Sequence, residues 1–337
     1  MIRIDGKGLL LTGLFFAAAG ASGCGRKEEL QTETPQAQGD SIVVGFSQLG
    51  SESDWRSAYT KSIEEAFTEE NGYTLVFDNG RQRQENQLKA VRNFILQEVD
   101  YILLSPVVET GWDSVLQEAK DADIPVLVAD REVDVEDESL YTAWVGSDFK
   151  AEGTAMGQWL ETYLEEQGRE NEEINIVILQ GTLGSSAEIG RTEGFEEIAS
   201  QHPNWNILAK ETGEFTTAKG REVMEAFLDR YADIDVLVSQ NDDMTFGALE
   251  AMDEDGRTYG TEGEITVLSF DAVSAAFDLM EEGKINADHE CNPIQGPLLS
   301  ELIKKLEAGE TIEKAYYVEE QIFTPENAAA NRQERMY

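Results

Sequence analysis

Short apolar runs recur along the chain, and longer amphipathic stretches separate them. The runs are rich in Val, Ile and Leu, and several are apolar at successive positions. This pattern is typical of strands that are buried on both faces of a parallel sheet. The predicted strands are 41–46, 73–77, 101–104, 125–129, 143–145, 174–179, 205–209, 236–239 and 265–270.

The stretches between the apolar runs have the period of amphipathic helices. In residues 55–69, for example, Tyr59, Ile63 and Phe67 recur on one helical face. Alternation of such helices with the strands predicts α/β units with right-handed crossovers. The units are too numerous for one compact sheet, so we expect two similar lobes.

The first 40 residues indicate a targeting segment followed by a tether. A charged start precedes an apolar stretch at 9–21, which is shorter than the roughly 20 residues that a membrane span needs. This order is typical of a signal peptide, and small residues then lead to Cys24 as in a bacterial lipobox, which the segment resembles. We therefore predict a lipoprotein signal peptide at 1–23, lipidation of Cys24 at the outer face of a membrane, and a flexible tether at 24–40. A plain secretory signal with an incidental cysteine is the alternative.

Composition narrows the possible functions. The chain has 337 residues, with 26 Lys and Arg against 67 Asp and Glu, and its formal net charge is −41. Nucleic-acid binding requires cations that displace counterions from phosphates, so we expect no nucleic-acid partner. Two cysteines exclude a disulfide framework, and two histidines leave little material for a metal site or a His-based triad. We predict a binding protein that is not an enzyme and has no metal and no cofactor, although carboxylate pairs could still act on a glycosidic bond.

Polar side chains follow several of the predicted strands. Asp130 and Arg131 follow one strand, Asn241 follows another, and Asp271 follows a third. Ligands of open α/β sheets bind beyond the carboxyl ends of the strands. Planar fork groups can hold adjacent hydroxyls, and aromatic faces pack against the C–H side of a sugar ring. The clusters together predict a neutral polyol site, whereas each cluster alone is more readily explained as a helix cap.

Several longer motifs carry a family resemblance. The segments 44–48, 84–92, 105–112, 219–225 and 241–244 read VGFSQ, QENQLKAVR, SPVVETGW, KGREVME and NDDM. With these motifs the chain, from about its forty-first residue onward, resembles the type I periplasmic binding proteins for sugars. Within that family it is most similar to the galactofuranose-binding proteins of ABC importers. The resemblance implies an α/β fold of two doubly wound parallel-sheet lobes that a three-segment hinge joins.

The resemblance also implies the lobe boundaries and the function. We expect an N-terminal lobe of 41–146 plus 291–312 and a C-terminal lobe of 147–290 plus 313–337. The protein would be a monomeric extracytoplasmic solute-binding protein that captures a monosaccharide, galactofuranose by the resemblance, for an ABC permease in the membrane. A sugar-presenting sensory protein for a membrane receptor, or a binder of a different furanose or pyranose, is the alternative.

Position by position, the resemblance assigns the ligand-binding residues. Phe46, Trp55 and Phe215 are the candidates for stacking against the sugar ring. The full set is Phe46, Glu52, Ser53, Trp55, Arg56, Asp130 and Arg131 from the first lobe, and Arg191, Phe215, Asn241, Asp271 and Glu290 from the second lobe.

Overall fold

The computed structural model describes residues 41–335 and 337. The predicted signal peptide, the lipidation site at Cys24 and the tether lie outside the described residues. Within the described residues, no helix has both the length and the apolar character that crossing a membrane would require.

Strands and helices alternate along most of the chain. The strands are β1 (Ile42–Gln48), β2 (Tyr73–Asn79), β3 (Tyr101–Leu104), β4 (Val126–Ala129), β5 (Ala143–Gly146), β6 (Ile174–Gln180), β7 (Trp205–Thr212), β8 (Val236–Ser239), β9 (Thr266–Asp271), β10 (Ala287–Glu290), β11 (Ala315–Tyr317) and β12 (Ile322–Phe323). The α-helices are α1 (Asp54–Ala66), α2 (Gln84–Leu96), α3 (Asp113–Asp121), α4 (Phe149–Glu166), α5 (Ser186–Ala199), α6 (Thr217–Arg230), α7 (Asp242–Asp255), α8 (Ser274–Glu281), α9 (Gly296–Glu307) and α10 (Pro325–Asn331).

The strands form two six-stranded sheets, one in each lobe. The first sheet has the order β11-β5-β4-β3-β1-β2 and is parallel throughout. The second has the order β12-β10-β9-β8-β6-β7, and only β12 is antiparallel to its neighbour. Strands β3, β4, β5 and β8 are buried at every position, as expected where helices cover both faces of a sheet. The prediction of two doubly wound parallel-sheet lobes is confirmed.

The chain passes between the two lobes three times. The crossings follow β5, β10 and β11, and α9 returns to pack against α1 in the first lobe. The expected boundary at 312/313 is therefore wrong, because β11 pairs with β5 in the first sheet and the last crossing comes only after Tyr317. Strand β11 was not predicted because it is a half-exposed edge strand of three residues. It lacks the apolar run by which the other strands were predicted.

Glu320 connects the three crossing segments. The hydroxyl of Ser147 in the first crossing donates to Oε1 of Glu320 at 2.6 Å, and the backbone N–H of Asn292 in the second crossing donates to the same oxygen at 2.8 Å. Burial, followed by the charge of Glu152, raises the pKa of Glu320 to about 9. The side chain therefore retains its proton at neutral pH while it links the segments.

Candidate functional site

A cavity lies between the lobes, where the carboxyl ends of the strands of both sheets meet. The gap between its walls has a volume of about 290 Å³ when the solvent at its mouth is included. Ten of the twelve predicted ligand-binding residues line it, and Phe46 and Glu290 do not. The lining residues are Glu52, Ser53, Trp55, Arg56, Asp130, Arg131, Phe149, Ala187, Arg191, Phe215, Asn241, Asp271 and Cys291.

Arg56 anchors the first-lobe side of the cavity. Ser53 caps α1 by accepting a hydrogen bond from the backbone N–H of Arg56, which places Arg56 in the first helical turn. Its Nε lies 3.0 Å from Oε1 of Glu52, and its Nη1 lies 2.6 Å from Oδ2 of Asp130. Burial alone would lower the pKa of Arg56, but the charges of Asp130 and Glu52 outweigh burial and raise it. The guanidinium therefore stays charged and fixes both carboxylates.

Arg131 is held less tightly than Arg56. Among the described residues it donates one hydrogen bond, from Nη1 to the carbonyl of Val107 at 3.0 Å, and its Nη2 lies 3.8 Å from Glu52. Its guanidinium carbon lies 4.9 Å from the centre of the Phe215 ring, which belongs to the other lobe. Burial and the charge of Arg56 lower the pKa of Arg131 to about 10. Most of its donors are thus available to a bound molecule.

Arg191 holds the corresponding place in the second lobe. Its Nε lies 2.6 Å from Oε2 of Glu152, its Nη2 lies 3.2 Å from Oδ1 of Asp271, and its Nη1 donates to the carbonyl of Gln240. Burial alone would lower its pKa, but Glu152 and Asp271 outweigh burial and raise it. Burial raises the pKa of Asp271 well above its usual range, and Arg191 only partly opposes this effect.

Asn241 and Phe215 complete the second-lobe wall. The side-chain oxygen Oδ1 of Asn241 accepts from the backbone N–H of Met244 and caps α7, while its side-chain amide nitrogen donates to the backbone carbonyl of Phe215 at 3.3 Å. The Phe215 ring packs on Gly181, where a Cβ atom would come within 1.8 Å of the ring. Ser53 and Asn241 therefore both cap helices and line the cavity, and their predicted contact with a ligand stays a prediction.

Three cavity residues have backbone conformations that non-glycine residues rarely adopt. The φ angles are 65° at Asp130, 61° at Phe215 and 109° at Asp271. Each such residue costs roughly 1–3 kcal/mol and persists only where its surroundings impose the conformation. Strain of this kind concentrates at functional sites, which supports the assignment of this cavity as the site.

The charges of the lining are balanced. Three acidic side chains (Glu52, Asp130 and Asp271) face three guanidiniums (Arg56, Arg131 and Arg191), so the formal charges cancel when Asp271 is ionised by its pairing with Arg191. Within the described part of the chain, Oε2 of Glu52 is buried and has no hydrogen-bond partner. An unsatisfied buried acceptor costs about 1–3 kcal/mol, which a ligand hydroxyl could recover by donating to it. The cavity is therefore suited to an uncharged molecule that carries hydroxyl groups.

Trp55 connects the cavity wall to the second crossing segment. Its ring stacks on Tyr59 with 5.3 Å between centroids, and the Arg56 guanidinium lies 4.7 Å above it. Its indole N–H donates to the carbonyl of Cys291 at 2.5 Å. Trp55 is therefore fixed on both sides, and its orientation is set before any ligand binds.

Direct contacts between the lobes accompany the cavity. The backbone N–H of Glu109 donates to the carbonyl of Gly184 at 2.9 Å, and the backbone N–H of Glu132 donates to Oγ of Ser186 at 2.9 Å. Each of these hydrogen bonds joins a first-lobe loop to the segment that begins α5. The structure is accordingly that of the closed form.

Phe46 and Glu290 were predicted to contact the ligand, but neither lines the cavity. Phe46 is fully buried in the core of the first lobe, where its ring packs against Tyr59 and Phe77 at centroid distances of 6.3 and 5.6 Å. Glu290 is also fully buried, but its Oε1 accepts from Arg335 at 2.6 Å and from the hydroxyl of Tyr337 at 3.3 Å. The family pattern identified the correct segments, but these two side chains contact other parts of the protein.

Three residues that line the cavity were not predicted from the sequence. These are Phe149, Ala187 and Cys291. Phe149 follows β5 closely, so the rule that selected Asp130 after β4 could have found it. Cys291 directly follows β10, a strand that was not predicted.

No described residues are assigned as metal ligands. The side chains of Glu152, His289 and Glu320 offer atoms within 4.8 Å of one another. Arg191 already pairs with Glu152, however, and Glu320 accepts hydrogen bonds from the crossing segments. One oxygen of each carboxyl group, Oε2 of Glu152 and Oε1 of Glu320, is thus engaged within the protein.

Comparisons with known proteins agree with this architecture. A family model described as a periplasmic binding protein domain matches residues 44–310. The galactofuranose-binding protein YtfQ of Escherichia coli (strain K12) is 42% identical over 291 residues, which cover 85% of this chain and 89% of that protein.

Solved structures are similar over nearly the same length. A crystal structure from Mycobacterium smegmatis in complex with β-D-fucofuranose has a TM-score of 0.83 and 43% identity, and covers 88% of this chain and 95% of that chain. The binding protein of an arabinose ABC transporter from Shewanella sp. ANA-3, bound to α- and β-L-arabinofuranose, has a TM-score of 0.81 and 41% identity. That comparison covers 87% of this chain and 95% of the other.

Proposed function

Because this chain belongs to the periplasmic binding protein family, we propose that it captures a furanose sugar, galactofuranose first among the candidates, for an ABC importer. The observation that carries the proposal is the cavity between the lobes with three acidic side chains and three guanidiniums in its wall. A cavity without net formal charge favours a neutral ligand, and its polar groups would otherwise remain unsatisfied.

The geometry supports a sugar among neutral ligands. Arg131 offers a planar set of donors that can hold two adjacent hydroxyls, and Glu52 offers a buried acceptor. The apolar rings of Trp55 and Phe215 also line the cavity and offer apolar surface to the C–H side of a sugar ring. We propose that these groups, with the other lining residues that the sequence predicted, contact the sugar directly.

The relatives support a five-membered ring. YtfQ is named for galactofuranose, and the two similar crystal structures contain fucofuranose and arabinofuranose. This chain is 41–43% identical to each of the three proteins, so sequence identity does not select one of these furanoses. The exact positions of the polar groups in the cavity decide which furanose binds.

Capture follows from the position of the cavity between the lobes. A sugar contacts both walls only in the closed form, so its binding shifts the population from open to closed. The contacts of Glu109 with Gly184 and of Glu132 with Ser186 then add to the stability of the closed form. We propose that an ABC permease recognises this closed form.

The proposal also covers the location of the protein, its oligomeric state, its partners and the chemical fate of the sugar. As a member of its family the protein is extracytoplasmic, and we propose that a lipid on Cys24 anchors it to the membrane. We propose also that it is a monomer, that it does not bind nucleic acid, and that it releases the sugar chemically unchanged. The relatives are solute-binding proteins, which supports the last statement.

Calorimetry and thermal shift test the proposal. The purified protein is titrated with D-galactose, L-arabinose and D-fucose, and with methyl β-D-galactofuranoside and methyl β-D-galactopyranoside as derivatives of fixed ring size. We expect a furanose to raise the melting temperature by mass action and the fixed pyranoside to have no effect. Absence of any shift with all five compounds would overturn the proposed function. Chromatography of the sugar after incubation checks that it is unchanged.

A further inference from the structure

Two buried carboxyl groups lie directly behind the part of the cavity wall that carries Asp271. Asp242 is the first residue of α7, Asp288 lies in β10, and neither side chain is exposed. The two side chains accept hydrogen bonds from consecutive backbone N–H groups, Asp242 from Val273 and Asp288 from Ala272, so the two carboxyl groups lie beside each other. Ionised carboxylates only accept hydrogen bonds, so a hydrogen bond between the two requires that one of them carries a proton.

The same two groups hold the backbone that follows Asp271. Oδ2 of Asp242 accepts from the backbone N–H of Val273 at 2.8 Å, and Oδ1 of Asp288 accepts from the backbone N–H of Ala272 at 3.2 Å. Within the described part of the chain, Oδ2 of Asp288 is buried and receives no hydrogen bond from any other group, so it is the oxygen that is left to share a proton with Asp242. Asp271 and Ala272 both have positive φ angles, 109° and 57°, which need such support.

We infer that Asp242 and Asp288 share one proton, and that this carboxyl pair keeps Asp271 in the position from which it lines the cavity. Asp242 and Asp288 do not line the cavity themselves, so they are positioning residues that act through Asp271. The inference rests on the proposed function, because the position of Asp271 is expected to matter through the ligand.

The surroundings favour the shared proton. Burial, and then the charge of Asp288, raises the pKa of Asp242 well above its usual range. Burial also raises the pKa of Asp288, with a further contribution from Asp271. The other charged groups that face the pair or Asp271 are Arg191, Glu152 and Asp243. Arg191 is already paired with Glu152 and Asp271, so its charge does not compensate a second negative charge on the pair.

Loss of this proton changes the cavity wall. When the pH rises above the raised pKa of the pair, both carboxyl groups are charged and repel each other. The backbone N–H groups of Ala272 and Val273 then lose their fixed partners, and Asp271 loses its position. Ligand affinity is therefore expected to fall in alkaline solution.

Asp288→Asn isolates this effect. The amide has nearly the same shape, cannot ionise, and can donate to Asp242 at every pH. Calorimetric titration with D-galactose compares the wild type and the variant at about pH 7 and about pH 9.5. We expect the wild-type affinity to fall by about tenfold or more at the higher pH, and that of the variant to change by less than about threefold. The exposed Asp229→Asn is the matched control and is expected to follow the wild type.

A second measurement needs no ligand. The folded wild type holds a proton that the unfolded chain releases above about pH 4, so its stability falls with rising pH relative to Asp288→Asn. We expect the melting temperature of the wild type, minus that of the variant, to decrease steadily from about pH 5 to about pH 9.

The measurements distinguish failure of the shared proton from failure of the proposed function. Equal alkaline losses of affinity in the wild type and Asp288→Asn, or a pH-independent difference in melting temperature, overturn the shared proton. If the wild type binds none of the sugars at either pH, the proposed function fails, and the melting temperatures still decide whether the proton is shared.

Discussion

The backbone N–H of Asp54 in the first lobe donates a 3.0 Å hydrogen bond to Oδ2 of Asp243 in the second lobe. Asp243 lies in the first turn of α7, two residues after the cavity residue Asn241. Burial raises the pKa of Asp243 to about 6. Burial outweighs the hydrogen bond from Asp54, which by itself favours the ionised carboxylate, so the folded protein holds this proton more tightly than the unfolded chain does.

We predict that Asp243 contributes to the pH dependence of stability. The folded protein has a pKa raised from the ordinary value of about 3.9 to about 6, so it loses stability relative to the unfolded chain as the pH rises from about 4 to about 6. Asp243→Asn has no such titration, and its amide oxygen can still accept from Asp54. Melting temperatures at several pH values check this, and the same slope in both proteins would contradict it.

Arg131→Ala is predicted to remove sugar binding without unfolding the protein. Burial and the charge of Arg56 lower the pKa of Arg131 to about 10, so the empty protein gains little from this charge. The bound sugar, by contrast, would lose its paired hydrogen bonds, at a cost of about 2–5 kcal/mol, or roughly 30-fold or more in affinity. Calorimetry measures affinity and circular dichroism measures the fold. The exposed Arg230→Ala is the control, and undiminished affinity in Arg131→Ala would remove this residue from the site.

Arg56→Ala, in contrast to Arg131→Ala, is predicted to lower the stability of the fold itself. Its removal leaves Glu52 and Asp130 buried without their cation, which costs about 3–5 kcal/mol of unfolding free energy. Urea denaturation without ligand measures this loss. Arg92→Ala removes a surface pair with Glu118, which contributes at most about 1 kcal/mol, and is the control. Equal losses in both variants would show that Arg56 is not needed for the fold.

Glu320→Gln is predicted to remove part of the pH dependence of stability. Burial raises the pKa of Glu320 to about 9, so the folded protein holds a proton that the unfolded chain releases above about pH 4. The wild type therefore loses stability as the pH rises from about 4 to about 9, and the glutamine variant lacks this contribution. Melting temperatures across this range check it. Parallel curves for the two proteins would contradict the raised pKa.

Most of the fold could be predicted because most strands are apolar on both faces. All nine predicted runs lie within observed strands or extend them by a residue or two. Strand β10 was not predicted, because it reads Ala-Asp-His-Glu although it is buried throughout. Its polar side chains are accommodated by internal partners, Asp242 for Asp288 and Arg335 for Glu290. Hydrophobic patterning cannot detect such pairs, because the partners come from distant parts of the chain.

Site residues could be predicted where they lie at the end of a strand, because that position alone places them at the cleft. Asp130, Asn241 and Asp271 lie at the ends of strands that face the cleft, and all three line the cavity. Phe46 lies within a strand, where a side chain points to one face of the sheet or the other, and it points into the core. The positive φ angle of Asp271 was not predictable, because only tertiary contacts impose it.

The carboxyl group of Glu320 accepts hydrogen bonds from two of the three crossing segments and itself lies in the third. One segment therefore cannot bend while the other two keep their arrangement. Rotation of the lobes is expected to be a concerted event with a single relaxation rate, rather than a succession of independent bends. The speed at which sugar is captured and released would then be set by Ser147, Asn292 and Glu320 in the crossing segments, which do not line the cavity themselves.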